Sequence, residues 1–303
     1  MKKLFFAAAM LLSTGAMAQE VNVTMAEETP FEFKTSESYV SIYLGDETRA
    51  ANIADDNYMY MGPDSDNGRN LWVWENTYAF PDTPDLNSLG IPGEYMSLEV
   101  KDVGWSGLGY NIAAAWPVNL SFIDSNWSFH IAVKTQYKGA LMFNLTDGTG
   151  TEAHLVFGEG GATYDEHPAI ANFPRDGEWY NIDIPMAYLE DQFEFTFAGA
   201  TSYADKNYFV VCCGGVEGTV VSYDAVFFHG PKVDAGLINQ TGDAGIPIIH
   251  NSQFTMHNGR YNDVYDLCGQ RVGNAQCTMH NAQLKPGLYI VRTSTGAKKI
   301  HVR

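Results

Sequence analysis

Each of three successive segments of this chain carries one imidazole or amide side chain at an even-numbered position. Apolar residues occupy the odd positions and mostly polar residues the even positions of residues 128–134, 140–146 and 152–158. This alternation predicts strands with one buried and one solvent-facing side. If the three strands pair as a meander, His130 lies opposite Asn144, and Asn144 lies opposite His154. Such a row can exchange hydrogen bonds with sugar hydroxyls; the alternative is that it is merely the wet face of a sheet.

Aromatic rings are the second group of side chains that suits a binding surface. Flat rings stack on the apolar faces of pyranose sugars, while amide and imidazole groups bind the hydroxyls. Residues 71–80, LWVWENTYAF, predict a strand. We assign Trp72 to the core, and Trp74 and Tyr78, nearer the strand end, to a binding edge. Loop-like surroundings predict exposure of three further rings, Trp105, Tyr110 and Trp116. The alternative is that these rings fill the edges of the core.

Two groups of carboxylates suit calcium, which prefers hard oxygen ligands. The segment 64–68, DSDNG, places Asp64 and Asp66 at alternate positions, as in the first half of a calcium loop. Arg69 stands where such a loop needs glycine and no closing Glu follows, so a solvated turn is the simpler interpretation. Asp224 is a further candidate, because an inward carboxylate on a strand needs a counter-charge. A structural calcium ion is therefore the one cofactor that the sequence suggests.

Signals of catalysis are weak. The segment 104–109, GWSGLG, is not a nucleophile elbow, because Gly107 directly follows Ser106. The sequence contains no HExxH motif. Two acids that are distant in sequence can still meet in space. A non-catalytic protein is favoured, and a glycan-degrading enzyme remains an alternative.

Short runs of β-branched and aromatic residues separated by turn clusters extend over residues 20–230. The chain has 17 Tyr, 17 Phe, 6 Trp and 29 Gly but only 18% charged residues. This balance is typical of an extracellular β-protein rather than a helical enzyme. The sequence predicts an all-β fold, an antiparallel β-sandwich, with one short helix near residues 186–192.

The first 18 residues have the pattern of a signal peptide. Lys2 and Lys3 precede an apolar run, and small residues precede Gln19. The apolar run is too short for a transmembrane span. The formal net charge of −18 becomes about −20 after removal of the two lysines, so nucleic acid is an unfavourable partner. We expect a secreted or outer-surface protein.

The four cysteines do not form an evident framework. Cys212 and Cys213 are neighbours and would point to opposite faces of a strand. Cys268 and Cys277 flank a predicted hairpin, and whether they pair is left open. No closely spaced Cys/His set predicts a zinc site.

The end of the chain reads as a separate small module. Residues 231–260 are rich in Gly, Asn and Gln and predict a linker before a β-module at residues 261–303. The segments VYDL, GQRV, PGLYIVR and KKIHVR within residues 264–303 resemble the C-terminal sorting domain of type IX-secreted proteins. The resemblance implies a small β-sandwich that the outer-membrane secretion machinery reads. Cys268 stands where Ser or Asn is more usual in that family.

The large domain resembles jelly-roll carbohydrate-binding modules with a galactose-binding-like fold. The residues that carry the resemblance are WYNIDIP at 179–185, NYFVV at 207–211 and SYDAVFF at 222–228. It implies non-catalytic glycan binding and a structural calcium ion held by a carboxylate of the last strand, here Asp224. No sugar-contacting residue transfers from the family to this chain.

These observations lead to one main expectation and two alternatives. We expect an exported or surface-displayed β-sandwich that binds a glycan or polysaccharide. The first alternative is a structural or adhesive surface protein that packs on protein partners. The second, less favoured, is the glycan-degrading enzyme.

Overall fold

The structure is a computed structural model that describes residues 20–101 and 104–238. It also describes the backbone of five further stretches, residues 248–249, 261–266, 271–274, 287–293 and 296–302. The signal peptide, Cys268 and Cys277 therefore lie outside the described residues. No described helix is long and apolar enough to cross a membrane.

The described chain is built mainly from strands. In chain order they are β1 (Asn22–Met25), β2 (Glu37–Tyr43), β3 (Tyr58–Tyr60), β4 (Arg69–Val73), β5 (Tyr78–Ala79), β6 (Met96–Val100), β7 (Leu108–Ile112), β8 (Ser128–Thr135), β9 (Leu141–Thr146), β10 (Glu152–Phe157), β11 (Thr163–Tyr164), β12 (His167–Pro168), β13 (Trp179–Pro185), β14 (Lys206–Cys212), β15 (Val220–Pro231), β16 (Ile248–Ile249), β17 (Tyr261–Asp266), β18 (Arg271–Asn274), β19 (Gly287–Thr293) and β20 (Gly296–Val302).

Helices are few and short. They are α1 (Asp46–Asn52), α2 (Met186–Phe193), α3 (Ala235–Ile238) and the 3₁₀ turns Asp55–Asn57, Ser65–Asn67 and Trp74–Asn76. Helix α2 follows Pro185 directly and ends at Glu194, which takes the left-handed conformation with φ of 56°. This confirms the short helix predicted over residues 186–192.

Two sheets form a sandwich. The eight-stranded sheet has the order β1-β13-β8-β15-β2-β3, with β6 also on β15 and β5 on β6, and the five-stranded sheet has the order β10-β9-β14-β7-β4. Apolar side chains of both inner faces form one core. Across it, the Tyr110 hydroxyl of β7 hydrogen-bonds the Tyr223 hydroxyl of β15 at 2.7 Å. The predicted all-β sandwich is confirmed.

The predicted meander of three strands is confirmed only in its second half. Strands β9 and β10 pair with Asn144 opposite His154. Strand β8 does not pair with β9, because it lies between β13 and β15 in the other sheet. Residues 136–140 therefore cross from one sheet to the other instead of forming a hairpin.

The outer face of the eight-stranded sheet is covered by the segment before β2. Phe31 and Phe33 of this segment pack with Tyr39, Ala132 and Phe227 in a second, smaller core. The Phe31 ring lies 5.0 Å from the Phe227 ring, measured between centroids. Both faces of β8 and β15 are consequently buried over most of their length.

The outer face of the five-stranded sheet is covered only at one end. The hairpin β11–β12 folds back near β10, with Asp165 and Glu166 at its tip in the left-handed conformation of a tight hairpin turn. The Ile170 amide donates to the Val156 carbonyl at 2.9 Å and holds the base of the hairpin on β10. The β4–β7 end of this face remains open to solvent.

The strands after residue 247 form a sheet of their own. Its order is β16-β20-β19-β17-β18. Strands β19 and β20 pair antiparallel over seven positions, from Gly287 opposite Val302 to Thr293 opposite Gly296.

Candidate ligand-binding face

Two glycines form the floor of an aromatic surface on the open end of the five-stranded sheet. A Cβ atom on Gly109 would lie 2.6 Å from Cη2 of Trp74, and a Cβ atom on Gly107 would lie 2.7 Å from Cζ3 of Trp105 and 2.8 Å from Cε3 of Trp74. Any other residue would therefore push the rings off the strand. Glycine here permits the close approach of indole rings to the backbone.

A tight turn positions Trp74 over this floor. After β4, Glu75 and Asn76 take left-handed conformations, with φ of 51° and 57°. The Trp74 amide donates to the Gly107 carbonyl at 3.1 Å, and the Gly107 amide donates to the Thr77 hydroxyl at 3.1 Å. These bonds fix both ends of the turn to the start of β7, so Trp74 is held in place before any ligand binds.

Two neighbouring tryptophans extend the surface. Trp72 lies opposite Gly109 in the pairing of β4 with β7. It points outward, because Leu71 and Val73 on either side pack against the core. Trp72 is 55% exposed and Trp105 is 40% exposed. We call Trp72, Trp74 and Trp105, with the two glycines beneath, the tryptophan patch.

One row of residues links the patch to a polar pair at the far edge of the sheet. Strand pairing aligns the row across all five strands. In order it contains Trp72, Gly109, Val210, Asn144 and His154. The predicted pair of Asn144 and His154 thus shares its face with the tryptophans.

The hairpin β11–β12 packs over this polar pair. The His167 ring of the hairpin stacks on the His154 ring with centroids 3.7 Å apart. Burial lowers the pKa of His154, and the neighbouring His167 lowers it further. Asn144 Oδ1 and His154 Nδ1 are buried without a hydrogen-bond partner among the described residues. Two acceptors therefore lie unused at this end of the face.

The structure places His130 elsewhere and corrects the predicted three-residue row. His130 is fully buried on the outer side of the eight-stranded sheet, stacked on Phe227 with centroids 4.9 Å apart. Its Nδ1 atom is 2.9 Å from Asp183 Oδ1. Burial lowers the pKa of His130 despite this carboxylate. The face of β8 that was predicted to be solvent-exposed is buried, because the segment containing Phe31 covers it.

Two of the predicted aromatic contacts are core residues. The Tyr78 hydroxyl lies 3.1 Å from Cys213 Sγ and accepts a hydrogen bond from Ser106 at 3.0 Å. Tyr110 is fully buried and bonds across the sandwich. Both rings face inward, because each lies on the core side of its strand. Trp116 is half-buried against Gly68, away from the tryptophan patch.

The two described candidate calcium ligands, Asp224 and Asp64, each accept hydrogen bonds from neighbouring residues. Asp224 is fully buried, and its Oδ2 accepts hydrogen bonds from the Ser88 amide at 3.1 Å and the Ser88 hydroxyl at 2.6 Å. Burial raises the pKa of Asp224 to about 6. Asp64 accepts a hydrogen bond from the Asn67 side chain, and the side chain of Asp66 lies outside the described part. Within the described ranges, no group of three or more His, Cys, Asp or Glu side chains could hold a metal ion.

The sequence contained a signal for the part of the site that sequence reasoning missed. Trp72 was assigned to the core because both sides of its strand begin with apolar residues. Gly107 and Gly109, two residues apart at the start of β7, mark a close approach to the backbone. Read together with the spacing of Trp72 and Trp74, they would have indicated the patch.

Comparison with known proteins shows no match to a family model and no match to a curated protein. Several solved structures are similar at low identity, among them the following three. A mutant of the carbohydrate-binding module CBM29-2 in complex with mannohexaose is 9% identical over 64% of this chain and 92% of its own, with a TM-score of 0.31. A second CBM29-2 mutant is 10% identical over 69% of this chain and 98% of its own, with a TM-score of 0.30. An exo-beta-agarase is 9% identical over 56% of this chain and 24% of its own, with a TM-score of 0.31. TM-scores this low assign no ligand to this chain.

Proposed function

We propose that this chain is a non-catalytic glycan-binding protein that holds a neutral polysaccharide on the tryptophan patch. The observation that carries the proposal is the patch itself. Two indole rings, Trp74 and Trp105, lie over a glycine floor beside Trp72. Trp72 and Trp105 are more than a third exposed. Rings held in place by backbone contacts lose little freedom on binding, which favours affinity.

The dimensions of the face suit a chain rather than a single sugar. The row from Trp72 to His154 crosses five strands, or about 19 Å at a strand spacing of ~4.8 Å. The hairpin β11–β12 covers the Asn144–His154 end, so the open part from Trp72 to Val210 is about 10 Å long, which exceeds the width of one sugar ring. The open patch would receive sugar rings by stacking, and the acceptors Asn144 Oδ1 and His154 Nδ1 would receive hydroxyl donors at the covered end.

The chemistry of the face favours an uncharged ligand. Aromatic, amide and imidazole groups meet there, and the chain as a whole carries a net charge of −18. A polyanionic glycan would be repelled by this charge. The same set of groups suits binding rather than acid–base hydrolysis, which needs a pair of carboxyl groups about the scissile bond.

The place of action is a further element of the proposal. Residues 1–18 would direct export, and residues 261–303 would be read by an outer-membrane secretion system of type IX. The support is the signal-peptide pattern and the tail motifs, with the linker 231–260 between the tail and the sandwich. The protein would then meet its polysaccharide outside the cell or on its surface.

Native affinity electrophoresis tests the proposal. Gels would contain a panel of neutral polysaccharides, namely mannan, xyloglucan, mixed-linkage glucan and agarose. We expect at least one of them to retard the wild type, and the Trp72→Ala variant to migrate freely. Leu86→Ala is the matched control, because Leu86 is also 55% exposed but lies beside Trp179 on the other sheet. Free migration of the wild type in all gels, or equal retardation of the Trp72→Ala variant, would overturn the proposal.

A further inference from the structure

A second polar groove lies on the opposite side of the molecule. It has a volume of about 500 Å³ and runs along the outer side of the β1–β13 pair, under the segment that contains Phe31. Asn22 lies opposite Asp183 and Thr24 lies opposite Asn181 in this pair. All four of these side chains line the groove. Their convergence follows from strand geometry, since alternate residues of paired strands share one face.

The floor of the groove contains a buried acceptor without a donor. Asn181 is only 3% exposed. Its Nδ2 atom donates to the Thr29 carbonyl at 2.9 Å, but its Oδ1 atom has no partner within the described residues. Buried polar atoms in folded proteins are almost always paired. The Oδ1 atom is therefore placed to accept a hydrogen bond from a ligand.

Asp183 provides an anionic oxygen beside this acceptor. Both of its imidazole partners approach the same atom, Oδ1, with His130 Nδ1 at 2.9 Å and His229 Nε2 at 3.6 Å. The side chain is still 30% exposed where it lines the groove. Burial alone would raise the pKa of Asp183, but the hydrogen bond from His130 and the nearby imidazole of His229 hold it well below the ordinary value. The carboxylate is ionised at neutral pH.

The charges around Asp183 cancel one another in part. His229 Nδ1 is 3.1 Å from Glu37, and Lys34 Nζ is 2.9 Å from Glu37. Burial alone would lower the pKa of His229, but the Asp183 carboxylate nearby and the hydrogen bond to Glu37 raise it. With His229 protonated, two cations balance the two carboxylates of this network. His130 adds no charge, because burial lowers its pKa.

Two further carboxylates leave the groove negative. Glu28 and Glu32 line it from the covering segment, and both are exposed. Neither forms an ion pair with another described residue. Lys34 and His229 also line the groove. With both of them protonated, the three carboxylates Asp183, Glu28 and Glu32 still leave an excess of negative charge beside the unused acceptor Asn181 Oδ1. The groove fits a ligand that brings donors and a positive charge.

We propose that this groove binds a small ligand with a protonated primary amine beside hydroxyl groups, the chemistry of an amino sugar. The ammonium group would donate to Asn181 Oδ1 and to the Asp183 carboxylate, and Thr24 and Asn22 would bind the hydroxyls. An ammonium group suits the site better than a metal ion, since the described residues offer no cluster of three metal-binding side chains here. This site is separate from the tryptophan patch and does not depend on the glycan proposal.

Isothermal titration of the full chain at mildly acidic pH tests the site. The probes are glucosamine, N-acetylglucosamine and glucose, which share a ring but differ in charge, and ethanolamine, which carries the amine without the ring. We expect glucosamine to bind about tenfold or more tighter than N-acetylglucosamine or glucose, as a charge-assisted hydrogen bond requires. Ethanolamine is expected to bind more weakly than glucosamine. Equal affinity for glucosamine and glucose, or no heat at millimolar glucosamine, would overturn the proposal.

Variants locate the binding. Glu28→Gln with Glu32→Gln should weaken glucosamine several-fold, and Thr24→Val should weaken it without a change of charge. Glu190→Gln on the exposed side of α2 is the matched charge control and should bind as the wild type does. Asp183→Asn should abolish binding, and its melting curve will show whether the loss of two histidine contacts also unfolds the protein. If the exposed variants Glu28→Gln with Glu32→Gln and Thr24→Val bind glucosamine as the wild type does, the ligand lies elsewhere and the proposal is wrong.

Discussion

Substitution of Gly109 by alanine adds a single methyl group beneath Trp74 and disrupts the tryptophan patch. The added Cβ atom would lie 2.6 Å from Cη2 and 2.8 Å from Cζ2 of Trp74. Carbon atoms in contact prefer about 3.5–4.0 Å, so the indole ring must retreat by roughly 1 Å or swing into solvent. The backbone itself tolerates alanine, because the φ angle of Gly109 is not in the left-handed region. The ring, not the strand, therefore absorbs the change.

The expected loss of stability is small and the expected loss of binding is large. Overpacking costs about 1–3 kcal/mol, and Trp74 borders solvent, so the lower end applies. Replacing glycine by alanine also stabilises the protein by about 0.4–1 kcal/mol, because the unfolded chain loses conformational entropy. The protein should thus remain folded. Loss of an aromatic anchor costs about 2 kcal/mol or more in a binding site, which corresponds to about a 30-fold weaker Kd.

The assay is titration with a polysaccharide that retards the wild type, together with a urea melt of each variant. Gly160→Ala is the matched control, because its Cβ atom would meet nothing within 4 Å and its φ angle is also not left-handed. We expect Gly160→Ala to bind as the wild type does. If Gly109→Ala binds with unchanged affinity while folded, the position of Trp74 does not matter for binding, and the reasoning fails.

Three further predictions follow from the buried charges and the chain end. Asp224→Asn should stabilise the protein at mildly alkaline pH by about 2–3 kcal/mol. The pKa of Asp224 in the folded protein is about 6, so ionisation of this side chain opposes folding as the pH rises. Urea melts that show destabilisation at mildly alkaline pH would contradict this. In this variant, the free energy of unfolding should fall between about pH 7 and pH 4. Burial lowers the pKa of His130 and His154 in the folded protein, so the unfolded chain takes up protons in this range that the folded protein resists. The depressed pKa of Asp183 adds to the fall mainly below about pH 4. A flat pH profile of thermal melts would contradict this. Deletion of residues 261–303 should leave the melting temperature of the sandwich unchanged but abolish surface delivery, as measured by cell fractionation; continued delivery would show that the tail is not a sorting signal.

Local pairing could be predicted from the sequence. Asn144 and His154 belong to two strands joined by five residues, and the Gly-rich turn between them fixes the register. The alternation in β8 was equally clear, but its partners are β13 and β15, far along the chain. Alternation specifies which side chains share a face and does not specify which sheet the strand joins.

Exposure was harder to predict than secondary structure. His130 is dry only because a segment about 100 residues earlier, with Phe31, folds over it. Trp72 is exposed because none of the described segments covers the β4 edge, whereas Asn144 is buried beneath the hairpin. The exposure of these side chains depends on which distant segment packs over them, and the local sequence does not encode it. The two glycines under Trp74 are the one local signal that points to the patch.

The position of the bound glycan is tested most directly by the tryptophan indole N–H signals in a two-dimensional NMR titration with an oligosaccharide of the retained polysaccharide. The signals of Trp72, Trp74 and Trp105 should shift. The signal of Trp127, which is buried in the core, and that of Trp179, on the other sheet, should not. Shifts confined to Trp179 or Trp116, or no shift of the three patch signals at saturating ligand, would contradict glycan binding on the tryptophan patch.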